Sequence, residues 1–480
     1  MSYATTRREL MRRLVGAPLP NQPAGNPPID QARHVLNRAT FGPDAWSRAR
    51  IAAIGWAAWL DEQLAPDGID DSVMTAALLA MPSANNQKNR ARREYLFRCA
   101  RSRRQLQHRM LHFLSNHFNT DAAKTHGVSE VYDTTTYTRL ALGSFVEVLL
   151  WSAKSPAMVV YLDSQTSLPS APNENYAREL MELHTLGVYG GFSEPDVVAA
   201  AKIFTGWRVQ FGPALPSNEP SSARFVFLPF RHVQGPKVLP GLGYSTPGYS
   251  GANGVREGEE FLSFLAVHPS TQAYITLKLC QYFVADVPPV GLVQRVQQVF
   301  ASTNHLGTAV RAIFHDPEFF TPQTTREKGQ DSIEFMLSTL RRLEVTINNA
   351  NTLPTLSNVL GQPVLGESVP TGTPEESAAW QGPGQVLPRW NSLAAQLGTL
   401  PIGWSALVGS ASTQGAAAIT DAMLQLIVDG DVPTTTRLGL EFFLSNRLAP
   451  LGTNPSFAAQ LPHIKDLAGL ILRLPEAQLH

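Results

Sequence analysis

A mainly α-helical globular body is the fold class that the sequence predicts, and three observations carry the prediction. Apolar residues recur at helical spacing: between Arg103 and Phe118, the positions Leu106, Met110, Phe113 and Leu114 fall at i, i+4, i+7 and i+8. That is the inward stripe of an amphipathic helix, and His117 continues it. Helix punctuation is also present, because Ser193-Glu194-Pro195 opens one segment with a cap and an early proline, while Gly187 and Gly190-Gly191 close another. Finally, hydrophobic residues make up 43% and charged residues 16% of 480 positions, a balance that suits a packed chain with a large core.

Taken in order, residues 1–29 form a Pro-rich arm in which Pro18, Pro20, Pro23, Pro27 and Pro28 exclude a helix. Arg7-Arg8 matches the arginine pair of an export signal, but only Leu14-Val15-Gly16-Ala17 follows where a longer apolar segment is needed, so a cytoplasmic chain is expected. Residues 30–350 read as a helical core. Two helices are expected from Asp30 to Leu64, with Asp30 as N-cap and Phe41-Gly42-Pro43 as the break. Further helices are predicted over Thr136–Ala153, Asn175–Gly187, Pro195–Thr205, Glu257–Ala266, Ser270–Val284, Leu292–Phe314 and Ser332–Thr346. Over 207–249, Arg224-Phe225-Val226-Phe227-Leu228 among many glycines and prolines predicts a short β-hairpin or a long ordered loop. Residues 351–388, rich in Gly, Pro and Thr, are expected to connect the core to C-terminal helices in 389–480, which cover Ala416–Val428, Thr434–Leu444 and Ile464–Leu474.

Composition also excludes function classes. Lys plus Arg and Asp plus Glu are 39 each, so no global field draws in nucleic acid. The most apolar stretch, Leu140 to Trp151, is short and carries Glu147, so no membrane span is expected. Cys99 and Cys280 show no metal spacing and read as buried thiols. Glycine-rich phosphate loops, a dinucleotide fingerprint, a serine nucleophile elbow and an HExxH motif are all missing from the sequence, which leaves a nucleotide cofactor without support.

The run Asn173-Glu174-Asn175-Tyr176-Ala177-Arg178-Glu179-Leu180-Met181-Glu182-Leu183-His184-Thr185-Leu186-Gly187-Val188 resembles the signature of the bacterial family called domain of unknown function 1800. The resemblance extends to His34 through Gly42, Asn116-His117-Phe118, Thr205-Gly206-Trp207, His268-Pro269-Ser270-Thr271, Lys278-Leu279, Trp380 and the final helix. What it implies about chemistry is limited, because members share sequence while their reactions are mostly unassigned. Relatives commonly carry a histidine two places before the one in Asn-His-Phe, where this chain has Ser115.

Several residues could carry chemistry. On a regular helix Glu179 and Glu182 share one face and could hold a metal or act as acid and base. Equally, Arg178 could pair with Glu174 and Glu182 at i, i+4 on a solvated face. His184 falls on another face and reads as a core histidine, while His117 on its apolar stripe is either a ligand or a hydrogen-bonded core group. His108 and His112 have a clamp spacing without the intervening Glu. His232 sits in the basic loop Arg231 to Lys237, and His268 could cap a helix.

The expected function is therefore a metal-dependent enzyme acting on a small or medium organic substrate, with His117, Glu179, Glu182 and His232 converging on one pocket. Such ligands favour zinc or iron, acting as a Lewis acid in hydrolysis or condensation, or in an oxidation. The competing expectation is a non-catalytic helical scaffold in which the same groups form a buried polar network.

Overall fold

The computed structural model describes residues 29–82, 86–125, 130–212, 223–325, 327–393, 397 and 400–479, with the backbone alone for 130–132. Expectations for the arm fall outside these residues, apart from Pro28's successor. The described chain is mainly helical, with two small antiparallel hairpins. No helix among the described residues is long and apolar enough to cross a membrane.

Asp30 caps the first helix, Gln31–Ala39, by accepting from the Arg33 amide at 3.0 Å. The next stretch holds two helices rather than one, Ala45–Ile54 and Trp56–Leu64, because Gly55 at φ 80 takes a backbone conformation that side chains resist. The Gln105–His117 helix buries Leu106, Met110, Phe113 and Leu114, as its periodicity predicts. Glu130–Leu140 and Phe145–Lys154 replace the single helix expected over Thr136–Ala153. Likewise Val290–Thr303 and Leu306–His315 are separated at Asn304, which sits in the left-handed region at φ 48.

The segment from 207 to 249 forms two hairpins. Trp207–Gln210 pairs with Arg224–Phe227, setting Trp207 opposite Phe227, and Lys237–Leu239 pairs with Tyr244–Thr246. A single hydrophobic cluster then runs from Val35 to Ala477, taking in Leu353, Leu360 and Val364 of the Gly/Pro/Thr-rich stretch and Ile419, Leu444 and Ile464 of the C-terminal helices. Those helices are Ala416–Val428, Thr434–Leu448 and Phe457–Ile471.

The signature segment departs from a regular helix. Asn175–Glu179 is α-helical, but Leu180–His184 is a π-helical turn, closed by the Thr185 hydroxyl donating to the Leu180 carbonyl at 2.6 Å and the Gly187 amide to Met181 at 3.1 Å. The 100° per residue used to assign faces therefore ends at Glu179.

Candidate functional site

The Gln105–His117 helix presents Arg109, His112 and Asn116, spaced by three and four residues, along a stripe beside its apolar one. Facing them is the N-terminus of the Ser332–Arg342 helix. Asp331 caps it by accepting from the Glu334 amide at 2.7 Å, while the Glu334 carboxylate accepts from the Asp331 amide at 3.0 Å. This capping box fixes both carboxylates at a helix end whose dipole favours their negative charge. The second oxygen of each is directed at a side chain. Asp331 Oδ2 lies 2.9 Å from His112 Nε2 and accepts from Gln362 at 3.0 Å, and Glu334 pairs with the buried Arg109 guanidinium.

The Gly/Pro/Thr-rich stretch supplies the outer wall. Asn116 donates to the Thr373 carbonyl and to Glu375, both at 2.9 Å, and accepts from the Thr373 amide at 2.7 Å. Gly372 makes this approach possible, since a Cβ there would lie 2.4 Å from Asn116 Oδ1. Lys328 bonds Asp286 at 3.1 Å and also the Glu375 carbonyl, which fastens the wall from behind. Two small clefts result, with cavity volumes of about 10 and 40 Å³, and they meet on His112, Asn116 and Thr373. Tyr282, Trp380 and Glu375 line the first, and Tyr95, Ser115 and Asn119 line the second.

His112 links the clefts electrically. Its Nδ1 is 2.7 Å from the Tyr95 hydroxyl and its Nε2 faces Asp331, so the network assigns the neutral ring a proton on Nε2 and a hydrogen bond accepted from Tyr95. Burial alone would lower its pKa; the Asp331 charge and hydrogen bond outweigh that and raise it. The Tyr95 hydroxyl is pushed well up by burial. Arg109 lies over the rings of Phe41 and Tyr282, 5.0 and 4.5 Å from their centroids, so the cation that neutralises Glu334 is held by packing as well as charge.

The residues singled out in the sequence take up separate surroundings. His117 is buried, with Nε2 3.0 Å from the His184 carbonyl and its ring stacked on Phe113. Glu182 lies 3.8 Å from Arg178, which also reaches Glu194 at 2.7 Å, and Glu179 is partly buried, its pKa raised by burial and then by Glu182. His232 is fully enclosed: Nδ1 lies 2.8 Å from the Thr205 carbonyl and Nε2 3.4 Å from Glu257, which is joined to Lys237 at 2.6 Å. Among the described residues, these three groups share no hydrogen-bond or ion-pair partner. His108 is buried with its pKa down to about 3, and His268 Nδ1 accepts from Ser270 at 3.2 Å as a helix cap.

Among the described residues, the grouping able to offer three metal-ligating atoms is His112, Asp331 and Glu334, all within 4.8 Å of one another. Sequence reasoning saw His112 only beside His108 and missed both acids. The signal that was available is Asp331-Ser332-Ile333-Glu334, a capping box before an apolar run.

A family model described as "Protein of unknown function (DUF1800)" matches residues 34–479. No curated protein and no solved structure matches the chain.

Proposed function

Starting from a chain that belongs to the DUF1800 family, whose description assigns no activity, we propose that it is an enzyme that moves a proton on a small polar organic molecule bound beside His112. The observation that carries this reading is the Tyr95–His112–Asp331 chain of hydrogen bonds, whose residues line two small clefts. Asp331 orients the imidazole and stabilises its protonated form, and His112 gives or takes the proton. Asn116, Glu375 and Lys328 supply polar contacts around it. Hydrolysis or condensation is the reaction class such a group serves.

A second reading is a divalent metal, zinc or iron, on His112, Asp331 and Glu334, favoured by the 4.8 Å grouping of their ligand atoms. Arg109 weighs against it, because the guanidinium already neutralises Glu334. A set of small polar metabolites screened by thermal shift against the wild type and His112→Gln tests the first reading. At 100 times its Kd a true ligand stabilises the wild type by about 2.7 kcal/mol, and its conversion is lost in the variant. Equal conversion by both proteins would refute it. Close to one metal per chain after supplemented expression would instead favour the second reading.

A further inference from the structure

His112 stands where two clefts meet, yet neither has room for an organic molecule. One water needs roughly 10–15 Å³ of cavity, and the clefts hold about 10 and 40 Å³, enough for a few waters between them. Residues 366–373 close them from outside. This stretch has neither helix nor strand and runs between the Thr352–Val359 helix and the short Ser377–Trp380 helix; its Thr373 borders both clefts and its Glu367 the second.

The stretch is anchored firmly at its ends. Upstream, Val364 is buried in the hydrophobic core and the Leu365 carbonyl accepts from the Ala122 amide at 3.1 Å. Downstream, Trp380 Nε1 donates to the Pro374 carbonyl at 2.8 Å, Lys328 donates to the Glu375 carbonyl, and the Ser377 amide and hydroxyl both donate to Asp286 at 2.9 Å. Between these anchors the hold changes in kind. Among the described residues, 366–373 places no side chain in the hydrophobic cluster and makes no backbone-to-backbone hydrogen bond with another segment. Side chains grip its backbone instead. Asn119 donates to the Glu367 and Val369 carbonyls at 3.0 and 2.9 Å, Tyr161 donates to the Ser368 carbonyl at 2.9 Å, and Asn116 holds both the carbonyl and the amide of Thr373. Each such bond exchanges for one to water at small net cost, and lifting the stretch loses little buried apolar surface. A segment of this make-up opens well below the free energy of global unfolding. Leu365, at the upstream end, is in the left-handed region at φ 50, where a branched side chain is strained.

We propose that residues 366–373 are a strap that lifts between the anchors at Leu365 and Pro374, and that small molecules reach His112 only while it is lifted. Asn116 and Asn119 are its latches. Gly372 lets the first latch close, since at φ 70 a Cβ there would lie 2.4 Å from Asn116 Oδ1 and 2.5 Å from the Asn116 carbonyl oxygen. Lifting frees the Asn116 amide, which then faces whatever enters beside the imidazole. The purpose of the opening rests on the proton-transfer reading of His112; the opening itself does not.

Hydrogen exchange on the intact wild-type chain tests the motion. Amides of 367–373, Thr373 among them, exchange at least about a hundred-fold faster than those in the middle of the Gln105–His117 helix. Access is read with diethyl pyrocarbonate, an imidazole-acylating reagent too large for either cleft, followed by mass mapping. Gly372→Ala, which cannot seat the strap, raises the acylation rate of His112 about ten-fold and leaves the enclosed His108 and His117 unreactive. Unchanged protection of the Gln105–His117 helix verifies that the variant is folded. Strap amides that exchange no faster than that helix in the wild type overturn the proposal, and so does a folded variant whose His112 reacts at the wild-type rate. A strap that opens over a His112 that converts nothing refutes the proton-transfer reading alone, while a rigid strap beside a converting His112 refutes only the strap.

Discussion

His34, His108 and His184 are buried, and burial pushes each imidazole down to about 3; positive neighbours, Arg38, Arg98 and Lys278 respectively, add to the effect. His117 is lowered in the same way. The unfolded chain takes up these protons as pH falls through about 6.5 while the folded chain does not, so stability is present above that pH and lost below it. Each of the three costs about 2 kcal/mol between pH 7 and pH 5, and together roughly 6 kcal/mol, a large part of a typical margin. His112 works against this, since a raised pKa contributes stability below 6.5 that is lost as pH rises through the folded value. Urea unfolding should therefore show a midpoint well below its pH 7 value at pH 5; a flat profile would mean these histidines are solvated. Glu334→Gln leaves the Arg109 guanidinium buried without its charge partner and should cost about 3–5 kcal/mol in the same assay. A loss under about 1 kcal/mol would show that the rings of Phe41 and Tyr282 suffice.

At the scale of elements, the caps and the Phe41-Gly42-Pro43 break were legible in the sequence, and the later breaks were not. Asp30 and Ser193 act as predicted because a cap is a local pattern of side chain and amide. Gly55, Gly143 and Asn304 each divide a stretch that reads as one helix. The π turn at Leu180–His184 escaped too, since a fixed 100° step cannot register an inserted residue. His232 reads from the sequence as a residue of a flexible basic loop, whereas it belongs to a closed Lys237–Glu257–His232 cluster, whose partners lie on the second hairpin and the Val255–Ala266 helix. Glu257→Gln leaves Lys237 buried and unpaired, and should cost roughly 3–5 kcal/mol. Hydrogen exchange would rise first across residues 229–254. Unchanged protection there would show that the hairpins hold without the ion pair.

Across the whole molecule, long-range pairs bind segments that periodicity treats as independent. Asp429 after the Ala416–Val428 helix accepts from Arg342 and Asn37 at 3.0 and 3.1 Å, which joins the first helix, the capped Ser332–Arg342 helix and the C-terminal helices. The candidate site is assembled in the same manner, from Tyr95, His112, Asp331, Gln362 and Glu375. Helix class and the core stripe could be read from neighbours in sequence; a pair such as His112 and Asp331, 219 positions apart, leaves no local trace. The central claim is that Asp331 makes His112, a buried residue lining two small clefts, a proton-holding group, unlike the neutral buried histidines around it. Carbon-13 NMR titration of labelled histidines in the wild type and Asp331→Asn tests it most directly. The account predicts that His112 titrates above 6.5 while His34, His108 and His184 stay neutral well below it, and that Asp331→Asn moves His112 below 6.5. A His112 that remains neutral through 6.5 in the wild type, or that the substitution leaves unmoved, would contradict it.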